Sequence, residues 1–152
     1  MHIDDDTIVS RLFLHVILTT KGREKVLFQE RREDLYREIW HIHRNLGCRL
    51  ICVSGSEEHI HILVGFKPTI SLDGYANAVK TGVAAWIEAE AVFPQFAGWH
   101  ENYAAFSVSE EDSDTVSEYI KADGERHRTV PFLDEYKQLL TEAGIEFDPN
   151  EL

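Results

Sequence analysis

The sequence predicts an α+β fold, an antiparallel sheet with helices packed on one face. Three observations predict it. Stretches of strand and helix character follow one another in the order strand, helix, strand, strand, helix, strand. Further helices then complete the chain. No internal repeat, low-complexity linker or shift in composition divides the 152 residues, a length that suits one compact domain, 1–152, with a real hydrophobic core. The order is the split βαβ arrangement of ferredoxin-like folds. The second face of such a sheet must be solvated, covered by the later helices, or covered by a second subunit.

Each element has its own local signal. Arg11 to Thr20 alternates Leu12, Leu14, Val16 and Leu18 with Arg11, Phe13, His15 and Ile17, which reads as a strand, and a basic loop from Lys21 to Lys25 follows. Glu30 to Leu46 repeats Leu35, Ile39, Ile42 and Leu46 at helical spacing, with Gly47 as its stop. Cys48 to Val53 reads as a strand ending at Ser54-Gly55, and His59 to Phe66 as its hairpin partner. Ser71 to Ala91 is helical, with Ser71 as cap and Leu72, Tyr75, Val79, Val83 and Trp86 on one stripe. After a loop with Pro94, Gly98 and Trp99, Tyr103 to Val108 is a short strand. Ser109, with Asp112 three residues on, opens a third helix running to about His127, and Phe132 to Ala143 is a last helix ended by Gly144.

Composition narrows the function classes. Hydrophobic residues make up 43% and charged residues 28%, as in a globular domain, and no apolar run is long enough to cross a bilayer. The acidic start, Met1 to Asp6, lacks the basic and apolar halves of a secretory leader. Cys48 and Cys52 match neither a zinc knuckle nor a redox pair and read as two buried thiols in a reducing cytoplasm. The net charge of −12 argues against broad nucleic-acid affinity, but the charge is uneven: residues 1–50 carry +1 and residues 51–152 carry −13. Any DNA contact therefore leans on Lys21, Arg23 and Lys25, or on local spots such as Lys80 and Arg126.

Chemistry concentrates in the strand His59 to Phe66. Ile60, Ile62, Val64 and Phe66 point one way, and His59 and His61 the other, about 7 Å apart along the backbone. Two imidazoles so placed can converge on one ion. They can equally be surface histidines on a solvated face, and spacing alone leaves both readings open. His41 and His43 have the same spacing on a helix, where side chains at i and i+2 diverge by about 200°, so they are poor ligands. On the third helix Tyr119, Asp123 and His127 follow at intervals of four and share a face. That face can hold a phenol beside a metal-ligating carboxylate, or a half-buried tyrosine with a solvated acid.

Several stretches in order carry a resemblance: His15-Val16 to Arg23, Asn45 to Cys48, Glu58-His59-Ile60-His61-Ile62-Leu63-Val64 and Pro68 to Ser71. Lys80, Trp86-Ile87, Tyr103 to Ser109, Tyr119-Ile120-Lys121 and the tail from Glu135 to Asp148 continue it. Over nearly its whole length the chain resembles the HUH-type single-tyrosine transposases of the insertion sequence 200/605 group, including their REP-associated relatives. The resemblance implies a ferredoxin-like homodimer acting on single-stranded or hairpin DNA, with a helix toward the C-terminus that carries the tyrosine. It implies that His59 and His61 bind Mg²⁺ or Mn²⁺, with Asp123 as a third ligand. It also implies that Tyr119 is the nucleophile forming a 5′-phosphotyrosine. Lys21, Arg23 and Lys80 are the candidate phosphate contacts, each of which can equally be ordinary solvated surface charge. The family often has Gln where this chain has Asp123, and Asn where it has Ala122. Two rival readings remain: a domesticated dimer that binds DNA or RNA hairpins without cutting, and a hydrolytic metalloenzyme acting on a small phosphoester with Tyr119 structural.

Overall fold

The computed structural model describes residues 10–152, so the acidic stretch Met1–Asp6 lies outside the described residues. Four strands, β1 (Leu12–Thr20), β2 (Arg49–Gly55), β3 (His59–Phe66) and β4 (Trp99–Val108), form one antiparallel sheet in the order β2-β3-β1-β4. Helices α1 (Gln29–Leu46) and α2 (Leu72–Glu90) make the two crossovers of the expected split βαβ fold. They pack on one face, where Val16, Leu18, Ile60, Ile62 and Val64 meet Leu35, Ile39, Tyr75, Val79 and Val83 in the main core.

The caps follow the sequence signals. Ser71 Oγ accepts a hydrogen bond from the Gly74 amide, and Gly47 ends α1 in the left-handed region at φ 75°. In the β2–β3 hairpin, a side chain at Gly55 would meet the His59 carbonyl oxygen at 2.2 Å, so only glycine lets the two strands close directly beside the histidines. The α2 stripe closes with Ile87 as its buried residue rather than Trp86.

The other face of the sheet is covered by the chain's own later helices. Helix α3 (Ser113–Lys121) lays Ile120 against Cys52 and Leu63, and α5 (Phe132–Glu142) lays Phe132, Tyr136 and Leu140 against Ile17 and Ala104. Helices therefore lie on both faces, and His59, His61 and Leu63 on the second face of β3 are fully buried.

Two predicted boundaries shift. Strand β4 begins at Trp99, four residues before the expected start, because Thr20 pairs with Trp99 beyond a bulge and the Trp99 indole donates to the Lys80 carbonyl. The expected helix from Ser109 to His127 is shorter and broken. Ser109 Oγ accepts from the Asp112 amide in a turn that precedes α3, and Ala122 (φ −84°, ψ 8°) separates α3 from the single turn α4 (Asp123–Arg126). Tyr119 thus lies on a helix followed by two others, and the break leaves Asp123 facing inward with no exposure. Among the described residues no helix is long and apolar enough to cross a membrane.

Candidate functional site

Strand alternation puts His59 and His61 on the face beneath α3, α4 and α5, opposite Thr19 and Ile17 of β1. The helix break delivers Asp123 above them. Its Oδ1 lies 2.9 Å from His59 Nε2, 3.2 Å from His61 Nε2 and 3.1 Å from His127 Nε2. The start of α5 adds Glu135, whose Oε1 lies 3.3 Å from His61 Nε2 and 3.1 Å from His127 Nε2. One ligand atom from each of His59, His61, Asp123, His127 and Glu135 falls within a span of 4.8 Å.

The orientation of the imidazoles is as informative as their proximity. All three aim Nε2 into the cluster and Nδ1 away from it. His59 Nδ1 faces the Glu58 carboxylate at 2.8 Å, His61 Nδ1 faces His15 Nε2 at 2.8 Å, and His127 Nδ1 donates to the Val130 carbonyl at 2.7 Å. Anchoring the outer nitrogen fixes tautomer and ring direction, as outer partners do for metal-bound histidine. Ser56 donates to the same Glu58 oxygen, and Phe132 stacks on His59 with centroids 3.8 Å apart and planes 6° apart.

The donor set fits a divalent cation. Ligands bound at about 2.1 Å and at right angles lie about 3 Å from one another, close to the 2.9–3.3 Å separations here. Three imidazole nitrogens with two carboxylates suit Mn²⁺ and its transition-metal neighbours better than Mg²⁺, which favours oxygen. The hydrogen bonds between imidazoles and carboxylates bias the protonation of the cluster. Burial pulls the His127 imidazole down, but hydrogen bonds to Asp123 and Glu135 outweigh it and lift its pKa to about 10. Burial also opposes charge on His61, and the same two carboxylates raise it nonetheless. Burial pushes both carboxyls up, yet the imidazoles hold Asp123 and Glu135 well below the ordinary carboxylate range. His15, buried and next to His61, drops to about 3 and stays neutral, with its Nε2 2.8 Å from His61 Nδ1.

Tyr119 is part of this assembly within one chain. Its ring centroid is 6.0 Å from that of His61, and its hydroxyl donates to Glu135 Oε2. Glu135 thus divides its oxygens, one toward the histidines and one toward the phenol. Arg126 covers the tyrosine ring at 3.7 Å, donates to the Tyr119 carbonyl and to Asp123, and makes an ion-pair contact with Glu135 through Nε without hydrogen-bonding through that atom. Burial, and then the bond to Glu135, push the phenol well above its ordinary pKa, with Arg126 pulling the other way.

The structure therefore brings together His59, His61, Asp123 and Tyr119, adds His127 from the predicted face, and adds Glu135, Arg126, Glu58 and His15. Among the basic candidates, Arg23 lines a cavity beside the cluster and Lys21 lies exposed on the same 3-10 turn, Lys21–Arg23. Lys80 is elsewhere, on α2 on the opposite side of the sheet, donating to the His100 and Glu101 carbonyls. His43 is buried between the Ile39 carbonyl and the Tyr75 hydroxyl and His41 is exposed, so that pair converges on nothing. Cys48 and Cys52 are buried free thiols.

The family described as "Transposase IS200 like" matches residues 8–123. The chain belongs to the IS200-like transposase family. The family match runs through His59, His61 and Tyr119 and ends at Asp123, so His127 and Glu135 lie beyond it. A candidate transposase from Deinococcus radiodurans R1 is similar in structure, with TM-score 0.60 and 26% identity over 75% of this chain and 92% of that one. A REP-associated tyrosine transposase solved with a REP hairpin shares the fold, with TM-score 0.61 and 13% identity over 86% of this chain and 76% of that one. No curated protein matches the chain in sequence.

Proposed function

We propose that this IS200-like transposase cleaves and rejoins single-stranded or hairpin DNA through a 5′-phosphotyrosine on Tyr119, dependent on a divalent cation held by His59, His61 and Asp123 with His127 and Glu135. The observation that carries the reading is Tyr119 beside the five-donor cluster of its own chain, its hydroxyl bonded to one of the five. Bound there, the cation supplies Lewis acidity toward the scissile phosphate.

The chain's own groups divide the remaining work. Tyr119 Oη attacks phosphorus in line, the Oη–P bond forms and the P–O3′ bond breaks, and the departing 3′-oxygen takes a proton from water to become a 3′-hydroxyl. Glu135 Oε2 accepts the phenolic proton, and the Arg126 guanidinium over the ring offsets the negative charge that develops on the phenol oxygen. Attack by a second 3′-hydroxyl on the phosphotyrosine reverses these bond changes and joins a new strand. Tyr119 and the five donors come from one chain, so the reading does not require a partner's tyrosine in the expected homodimer.

The runner-up is a dimer that binds DNA or RNA hairpins without cutting. Asp123 favours it, because a carboxylate tied to three imidazoles and Arg126 stands where the resemblance expects Gln. Incubating a labelled single-stranded hairpin with Mn²⁺ separates the two. A covalent protein–DNA adduct formed by the wild type and absent in Tyr119→Phe supports the transposase. Hairpin binding without adduct under Mn²⁺ or Mg²⁺ supports the binder. Phosphoester hydrolysis that survives Tyr119→Phe would make the tyrosine structural.

A further inference from the structure

A cavity of about 420 Å³ opens beside the donor cluster, between the Lys21–Arg23 turn, the β2–β3 hairpin turn and the connection from α4 to α5. In a chain of net charge −12, four cations line it: Arg23, Lys25, Arg32 and Arg128. Its acids are Glu57 and Glu58, and Glu58 is already committed to His59 and Ser56. His127, through which the cavity adjoins the donor cluster, and the apolar Phe132 and Pro131 complete the wall. Cations and apolar groups in one lining offer partners for both the phosphate and the base of a nucleotide.

Arg23 is the lining residue with the most unusual surroundings. Its Nη1 is buried and has no hydrogen-bond partner among the described residues. A desolvated guanidinium donor without an acceptor is costly, and an anion that a shift of the side chain brings within its reach removes that cost. The backbone at Arg23 is also left-handed, φ 54°, directly after Gly22 at φ 66°. A non-glycine residue in that region is strained, and such strain gathers where a ligand is held. The setting is rigid, since the Glu57 carbonyl accepts from the Val26 and Leu27 amides and the Glu58 carbonyl accepts from the Thr20 amide. Arg32 is steadied by a bond from Nη1 to the Leu27 carbonyl, which leaves its other donors for a ligand, and Arg128 meets Glu125 only at 3.5 Å on the surface.

We propose that this cavity is a nucleotide-binding pocket in which Arg23, Lys25, Arg32 and Arg128 take a phosphate of the DNA strand next to the scissile one. The inference rests on the DNA-strand reading above, and its test separates the two. The probes are a deoxynucleoside 5′-monophosphate, followed through backbone amide shifts, and a fluorescent single-stranded oligonucleotide, followed by anisotropy across a salt series. The monophosphate is expected to shift the amides of Arg23, Ser56 and Gly124. Arg23→Gly relieves the left-handed strain, so its Tm stays level or rises, while both probes weaken about tenfold. Adding Arg32→Met flattens the salt dependence of oligonucleotide binding by roughly 0.7 in log–log slope for each phosphate left without its cation. Arg37→Met, an exposed α1 change, leaves both probes as in the wild type.

Wild-type oligonucleotide affinity and slope in the Arg23→Gly, Arg32→Met protein would overturn the pocket and leave the strand reading standing. Monophosphate binding that disappears in Arg23→Gly, in a protein that binds no oligonucleotide, keeps the pocket and sinks the strand reading. Inorganic phosphate bound as tightly as the monophosphate overturns the nucleotide assignment.

Discussion

Tyr119 donates its hydroxyl hydrogen to Glu135, a residue of a different helix that also faces His61 and His127 with its other oxygen. The phenol and the donor cluster therefore share one carboxylate. In the proposed mechanism the phenol is the proton donor, and Glu135, the proposed acceptor, is already within hydrogen-bonding reach.

Replacing Glu135 by Gln keeps its size but removes the charge and the capacity to take a proton. Adduct formation with a labelled single strand is expected to fall by about 10²- to 10⁴-fold, the usual weight of a positioned base. Oligonucleotide affinity should stay within about twofold. A wild-type rate of adduct formation in Glu135→Gln would remove Glu135 from the proton path.

Cation binding gives a second expectation, independent of DNA. A ligand that binds only the folded chain raises stability by about 2.7 kcal/mol at a hundred times its Kd. Mn²⁺ should therefore raise the Tm, Mg²⁺ should do so only at higher concentration, and a chelator should reverse both. His61→Ala should abolish the Mn²⁺ shift, since its Nε2 faces both carboxylates. A chain whose Tm neither ion moves does not bind metal at this cluster.

Period-two alternation is what makes the pair His59 and His61 legible: it puts them on one face, and the hairpin glycine and Ser56–Glu58 turn follow from local signals. Helical spacing gives Tyr119, Asp123 and His127 one face, and that face persists through the break at Ala122, which spacing does not foresee. Glu135 escapes a reading of the sequence because its role depends on how α5 docks, which is tertiary. A signal is present, since Glu135 falls three residues after Phe132 and beside Tyr136, within the apolar stripe that α5 buries. His15 gives a similar sign, a histidine between Phe13 and Ile17 on one strand face. The net charge misleads in the opposite direction, because it averages away the four cations that Arg23, Lys25, Arg32 and Arg128 bring to one cavity.

His43, remote from the cluster, predicts a pH effect on stability. Burial lowers its pKa below the ordinary 6.5, partly offset by the bond to the Ile39 carbonyl, so it is neutral in the folded chain with Nε2 accepting from the Tyr75 hydroxyl. The unfolded chain takes up the proton first as pH falls. His43's contribution is therefore complete above about pH 6.5 and declines below it until the lower folded pKa is reached, at up to about 1.4 kcal/mol per pH unit. Urea midpoints at pH 7.5 and 5.5 should show the wild type losing part of its advantage over His43→Gln. An advantage that grows on acidification would mean the imidazole is charged in the fold.

Phe132 joins stability to the site, which allows the two to be told apart. It is 5% exposed, packs with Ile17, Ala104 and Tyr136, and stacks face to face on His59. Phe132→Ala opens a cavity and should cost about 3–5 kcal/mol, read from denaturant midpoints. Phe132→Leu refills most of the volume but cannot stack on the imidazole, so its stability loss should be smaller, by about half or more. The two variants should nevertheless weaken Mn²⁺ binding alike, because both free the His59 ring from the plane that aims Nε2 at Asp123. If Phe132→Leu binds Mn²⁺ as the wild type does, Glu58 and Ser56 alone orient His59 and the stack serves only the core.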